Sequence, residues 1–465
     1  MVDSAAPPSP PPAGYWLATA ALTVALVSVG ASPLKTAGFV IAATAVGVWR
    51  RAVIGPGLAL CLVLPQQGGA FPAILSASDL VLVPLLVYAA VSARWRGLLR
   101  SPRLWAIGGL WVAGAVAIVV GVALRDAGLK EVAFDAYPAY GHMLAFVVTA
   151  VLVVSAADRR RLVWWMVGGS AVAALIGVLQ VLGGDPVNAV LREALDALGY
   201  STYDDELIHR YLWWGARKGF AAYFSPNGLG AAAMFGLLLA AALWAGATRA
   251  RLRATALAAT LLLFAGLVAT ISRGAAVGAV VGLLVLATRL VRAGARARGA
   301  AFAGLAVAVP VLQMALLAAP SPARTAPEDA PQIGIETKQL TGTMKIQELF
   351  DTVAMLGGGA VLGAGYGALW TPEDGFVLSA RTIGLSPAYG EIVYRAGIVG
   401  AVAVAGAVLA FAALWRSAPP EPLRLALLGA AATSLVDHPF LTVPGLSVVF
   451  WAAWGMLEAA RAGRT

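Results

Sequence analysis

Arg273 is the residue whose type and place most plainly ask for a partner. It lies in ATISRGAAVGAV, between two apolar runs, with no carboxylate within twelve residues on either side. An unpaired guanidinium beside hydrocarbon is costly, so it needs a distant acid, water or an anionic ligand. Three more cations, Arg210, Arg217 and Lys218, stand just before the earlier apolar run 224–247, among the rings of Trp213, Trp214, Phe220, Tyr223 and Phe224. They serve either as anchors snorkelling to head groups or as a clamp for a lipid-borne phosphate, to which arginine offers a planar bidentate fork. Gly363, Gly365 and Gly367 alternate in VLGAGYG, a pattern that suits tight turns and close helix packing, or a backbone N–H cradle beside an anion.

The three histidines are His142, His209 and His438. His142 is expected to cap the helix that follows it or to face head groups, and Asp437–His438–Pro439 reads as a helix-ending turn or as an acid–base pair. Glu391 and Arg395, four residues apart, can pair along one helix face. Asp204, Asp205 and Glu206 are acidic enough to hold a cation, yet a solvated loop explains them more simply. Cys61 is the sole cysteine and sits in an apolar run, which excludes disulfides and thiolate metal sites; neither a metal nor a cofactor is expected.

The elements that must carry these residues follow from composition. Of 465 residues, 60% are hydrophobic and 12% charged, half the charge of an ordinary soluble protein. Stretches such as TALAATLLLFAGLVATI are apolar on every side, as a lipid-embedded helix is, and lack the alternation of a membrane β-strand. The expected fold is all-α, a polytopic transmembrane bundle of about 12–14 helices, with apolar runs at 15–31, 36–49, 52–66, 79–93, 104–124, 141–157, 162–183, 224–247, 254–271, 274–288, 299–319, 388–415, 424–436 and 445–460. Residues 1–14 read as a disordered Pro-rich cytoplasmic tail with no basic n-region, and 15–465 as a single transmembrane domain.

The net charge of +10 is a topology signal rather than a nucleic-acid one. Arginines crowd alternate connections, at 94–103, 159–161, 249–253 and 289–298, while only Asp3, Asp158, Glu421 and Glu458 among the acids share that side. The positive-inside rule then places both termini in the cytoplasm. Two large loops, 184–223 and 320–387, face outward with every histidine on or beside that face. Residues 186–198 have amphipathic helical spacing, and so does TGTMKIQELFDTVAML.

Four segments in order resemble the O-antigen ligase and O-antigen polymerase family: RKGFAAYFSPNGLG (217–230), TISRGA (270–275), VLGAGYG (361–367) and AYGEIVYRAGIVGAV (388–402). The resemblance implies an outer-face glycosyltransferase acting on a polyprenyl-diphosphate-linked saccharide, with membrane lipids and other polysaccharide-assembly proteins as partners. Expulsion of diphosphate develops negative charge that fixed cations can stabilise, and Arg273, Arg217, Lys218 and Arg210 are the candidates. Where the family has a His-Asn pair this chain has Ser386 and Pro387, and Lys345 is the nearest cation to the family's arginine before the glycine turn. The general base is therefore sought among Glu391, His438 and His209. A transporter or flippase of a lipid-linked substrate is the alternative, and an envelope scaffold a third.

Overall fold

A computed structural model describes residues 13–28, 33–64, 77–91, 98–125, 132, 136–137, 140–153, 155–197, 218–223, 225–318, 361–363, 365, 388–417, 422–435, 437 and 439–462. Among them all regular structure is helical. The helices are α1 (Ala13–Ser28), α2 (Pro33–Trp49), α3 (Ile54–Val63), α4 (Ala77–Val91), α5 (Pro102–Arg125), α6 (Leu144–Leu152), α7 (Ala156–Gly183), α8 (Asp185–Ala197), α9 (Pro226–Gly246), α10 (Ala250–Thr270), α11 (Arg273–Arg292), α12 (Arg296–Ala318), α13 (Ala388–Ser417), α14 (Pro422–Ser434), α15 (Pro439–Thr442) and α16 (Pro444–Ala462). Each apolar run expected from the sequence contains one of them. Seven are long and apolar enough to cross a membrane, and five shorter apolar helices accompany them, so the protein is an all-α, multi-pass membrane bundle. Residues 1–12 of the expected tail and nearly all of the 320–387 loop, including its expected amphipathic helix, lie outside the described residues, while Ala13 and Gly14 already belong to α1.

Local chemistry sets the helix ends. Serines cap α7, α9 and α11: the Ser155 hydroxyl accepts from the Asp158 N–H, Ser225 from Asn227 and Ser272 from Ala275. Pro226 then opens α9, where its missing N–H costs nothing. The expected helix 141–157 is shorter than its apolar run, stopping at Leu152. At nine residues α6 cannot span a bilayer, and its side chains are buried by neighbours instead of lipid.

The core is built on α9. Every hydrophobic side chain from Leu229 to Ala241 has 0% exposure. Lipid tails are as apolar as leucine, so helices gain by fitting closely rather than by escaping water. Small residues permit that: a Cβ on Gly236 would sit 2.5 Å from the Ser170 Cβ, one on Gly169 2.8 Å from the Ala59 Cα, and one on Gly278 2.5 Å from the Gly429 carbonyl. Polar side chains bridge other interfaces, α6 to α16 and α12 to α10. Thr149 Oγ1 donates to the Ala452 carbonyl at 2.9 Å, and Gln313 Nε2 to that of Leu267 at 3.0 Å.

The bundle has two chemically distinct ends. At one end the α9–α10 and α11–α12 turns meet, Arg51 faces Asp158 at 3.7 Å, and Arg103 donates from Nη1 to Glu458 Oε2 at 2.8 Å while the Ser101 hydroxyl donates to Oε1 at 2.6 Å. Arg273 lies at the other end, where α11 begins. Arg103 and Glu458 are both buried. Arg103→Ala should therefore strand a carboxylate and lower stability by about 3–5 kcal/mol, and Arg103→Ala/Glu458→Ala should recover part of the loss. Thermal unfolding of the purified protein in detergent checks both.

Candidate functional site

The Arg273 end is organised by a stretch of chain that leaves helical form while buried. Residues 219–223 connect into α9, and Phe220, Ala221, Ala222 and Tyr223 are at most 2% exposed. With no water at hand, their N–H groups need protein partners. Gln180, itself 0% exposed near the end of α7, supplies them. Its Oε1 accepts from the Phe220 N–H at 3.0 Å and the Ala221 N–H at 2.6 Å, while its Nε2 donates to Asn188 Oδ1 at 3.0 Å. Asn188 on α8 in turn donates to the Gly184 carbonyl at 2.8 Å.

The same segment is pinned at both sides. The Gly219 N–H donates to the Ala269 carbonyl at 3.0 Å, and the Tyr223 hydroxyl to that of Leu62 at the end of α3 at 2.5 Å. Glycine is required at 219, where a Cβ would overlap the Gly177 backbone.

Arg273 stands on the neighbouring junction. Thr270 Oγ1 donates to the Leu267 carbonyl at 2.7 Å and accepts from the Ser272 N–H at 3.3 Å, closing a tight link between α10 and α11. Gly230 of α9 packs on this link, since a Cβ there would lie 2.6 Å from the Ser272 Cβ. Thr433 of α14 donates to the Gly274 carbonyl at 3.2 Å, and the backbone continues to Asp437 at the same end. Ala221 (φ 46°) and Ile271 (φ 52°) are the only non-glycine residues with positive φ among those described. Both strained positions flank this one junction, and such strain persists where surrounding contacts enforce it.

Arg273 is the first residue of α11 and is exposed. Among the described residues it makes no hydrogen bond or ion pair. A cation at a helix N-terminus adds to the positive end of the macrodipole instead of offsetting it, so the position attracts an anion twice over. Lys218 opens the docked segment and is half-buried beside Gly219, which bonds to Ala269. The structure thus brings Lys218, Arg273 and Asp437 to one end of the bundle. Arg210, Arg217, His209 and His438 lie outside the described residues, as does the side chain of Glu391 on the first turn of α13.

Of the alternate glycines, Gly363 and Gly365 resolve toward close packing, and Gly367 lies outside the described residues. Gly363 and Gly365 have φ of +75° and +73°, and a Cβ on Gly365 would sit 2.6 Å from the Gly121 nitrogen of α5. The Gly365 N–H donates to the Arg395 carbonyl at 3.0 Å, and Arg395 Nη1 returns a bond to the Gly365 carbonyl at 3.0 Å. This two-point clasp holds a break in α13, where Gly397 takes φ 57° and ψ −138°. Arg395 is buried and bonded to the turn.

The sequence reading misplaced His142. It neither caps a helix with its side chain nor meets head groups: it is 0% exposed, with Nε2 3.3 Å from Asp79 Oδ1. The Tyr137 hydroxyl donates to the same oxygen at 2.7 Å, and its ring meets that of His142 edge-on at 5.3 Å. Burial and then the Asp79 carboxylate raise the Tyr137 phenol above its ordinary range. An acid at the start of one apolar run and a histidine at the start of another were the available signals, but only the packing of α4 against the 140–143 turn pairs them.

Gln180→Leu should leave the Phe220 and Ala221 N–H groups unsatisfied and cost at least about 2 kcal/mol. Trypsin should then cut the Lys218–Gly219 bond, protected in the wild type by the buried glycine; limited proteolysis in detergent reads the difference. Gly365→Ala should destabilise the clasp on α13 through both its φ and its contact with Gly121, visible as a lower unfolding temperature. No family model, curated protein or solved structure matches the chain, so these side chains are what its function must be read from.

Proposed function

We propose that the protein is an outer-face membrane glycosyltransferase, a polymerase or ligase acting on a polyprenyl-diphosphate-linked saccharide, in a bacterial inner membrane with both termini cytoplasmic. The observation that carries this reading is Arg273: an exposed guanidinium on a helix N-terminus, with no acid bonded to it among the described residues, beside the buried segment that Lys218 opens. The segments that resemble the family support it by docking in pairs. The 217–230 stretch bonds to the end of α10 through Gly219 and Ala269, and the 361–367 stretch to α13 through Gly365 and Arg395.

In the proposed reaction an acceptor hydroxyl attacks the anomeric carbon, and the bond to the diphosphate oxygen breaks with its electron pair leaving on the diphosphate. Arg273 and Lys218, joined by Arg217 and Arg210, hold that developing charge in a setting of low dielectric. The hydroxyl proton passes to a base drawn from Glu391, His438 and His209.

The test is the lipid-linked saccharide profile of cells lacking the protein, complemented with wild type or with Arg273→Ala. Arg273 is exposed and makes no hydrogen bond or ion pair among the described residues, so the variant should reach the membrane in normal amount and fail to restore product. Accumulated single-repeat units would indicate a polymerase, and long lipid-linked chains without conjugate a ligase. Full restoration by Arg273→Ala would sink the proposed mechanism.

One observation favours the second reading, a transporter or flippase. The spanning part of α13, Ile392–Ala413, contains both the break at Gly397 and the buried Arg395. Broken helices with intramembrane charge mark substrate paths in transporters. Purified protein in liposomes should transfer sugar without moving the lipid carrier; lipid translocation without transfer would reverse the order.

A further inference from the structure

At the end of the bundle opposite Arg273, two turns have arginine as their only charged residue type. From Leu207 to Pro327 the chain has no Asp or Glu. Within that stretch Arg249, Arg251 and Arg253 flank the α9–α10 turn, and Arg292, Arg296 and Arg298 the α11–α12 turn, all six of them exposed. The turns lie together: Arg298 Nη1 donates to the Ala245 carbonyl at 3.0 Å, and Trp244 meets Phe302 edge-on with centroids 5.0 Å apart. Arg253 folds onto the Ala247 carbonyl through Nε and Nη2 at 3.2 and 3.0 Å. Two guanidiniums are therefore fixed by the backbone.

The other four, on Arg249, Arg251, Arg292 and Arg296, make no hydrogen bond or ion pair among the described residues. Elsewhere at this end Arg51 has Asp158 and Arg103 has Glu458, and Arg159, Arg160 and Arg161, though without a side-chain bond among the described residues, share their turn with the acid Asp158. Like charges this dense repel one another unless an anion settles among them. All four lie in the first or last turns of membrane-length helices or beside them, the level at which head groups stand.

We propose that the paired α9–α10 and α11–α12 turns form a binding site for the phosphodiester of an anionic glycerophospholipid. Guanidiniums match phosphate by charge and by bidentate geometry, and the two that are held by backbone carbonyls brace the pair of turns that present the rest. The site is independent of the chemistry proposed at the Arg273 end.

The test is a thermal-shift titration of the full chain in neutral detergent with phosphatidylglycerol, phosphatidylcholine or inorganic phosphate. Phosphatidylglycerol should raise the unfolding temperature, and the other two should not. Arg292→Gln/Arg296→Gln should weaken its apparent affinity roughly 25-fold, each cation near an anionic surface being worth about fivefold. Arg160→Gln/Arg161→Gln removes equal charge from the turn that also holds Asp158 and should leave the affinity within about a factor of three. If the 292/296 variant fails to fold, Arg249→Gln/Arg251→Gln in the other turn gives the same reading. Equal weakening by the control pair, equal stabilisation by phosphatidylcholine, or stabilisation by inorganic phosphate alone would each overturn the proposal.

Discussion

A backbone that leaves helical form inside a membrane bundle must find every hydrogen bond in protein, because hydrocarbon offers none and a lost bond there costs several kcal/mol. Gln180 meets that demand for the segment entering α9. A single carboxamide accepts from two successive N–H groups, Phe220 and Ala221, and donates to Asn188, so α7, α8 and the segment become one unit. From there the constraint spreads. Gly219 reaches Ala269, which fixes where α10 ends, and the end of α10 fixes where α11 and Arg273 begin. Placement of the exposed cation thus descends from a buried amide with no charge of its own.

The clasp between Gly365 and Arg395 answers the same demand differently. Where Gln180 lends a side chain to stray backbone, here the stray backbone of one segment satisfies the break in another. Both solutions need glycine, at 219 and at 365, because the partner backbone comes closer than a Cβ allows. Breaks of this kind are tolerated at depth only where protein or a cavity receives them. The two among the described residues sit on segments whose sequence already stood out from the apolar background.

Helices were legible because lipid-facing and core-facing positions are both apolar, and long apolar runs bounded by Gly, Pro and Arg survive any error in packing. Each expected run holds a helix, with displacements of a few residues where a serine cap moves a start, as Ser155 does for α7. Short α3 and α6 were read as longer because composition cannot tell a short buried helix from a span. Arg273 and Lys218 were legible as cations at run boundaries. Asp79 and His142 were not paired, since their contact joins α4 to a turn more than sixty residues away and nothing in the spacing encodes it. Gln180 was missed for a plainer reason: a lone glutamine near the end of an apolar run has the appearance of an interfacial residue, and its task depends on which backbone is brought beneath it.

The same physics separates the two ends of the bundle. A buried cation is retained only with a fixed partner, and Arg103 obeys this with Glu458 and Ser101 closing both carboxylate oxygens. Arg395 obeys it with a carbonyl. Arg273 escapes the requirement by being exposed, and it stands on the α10–α11 link, where Ile271 and the neighbouring Ala221 carry the two positive φ values found outside glycine among the described residues. A charge that folding does not need, held on strained scaffolding that folding must support, is better explained by what it meets from outside than by the stability of the bundle.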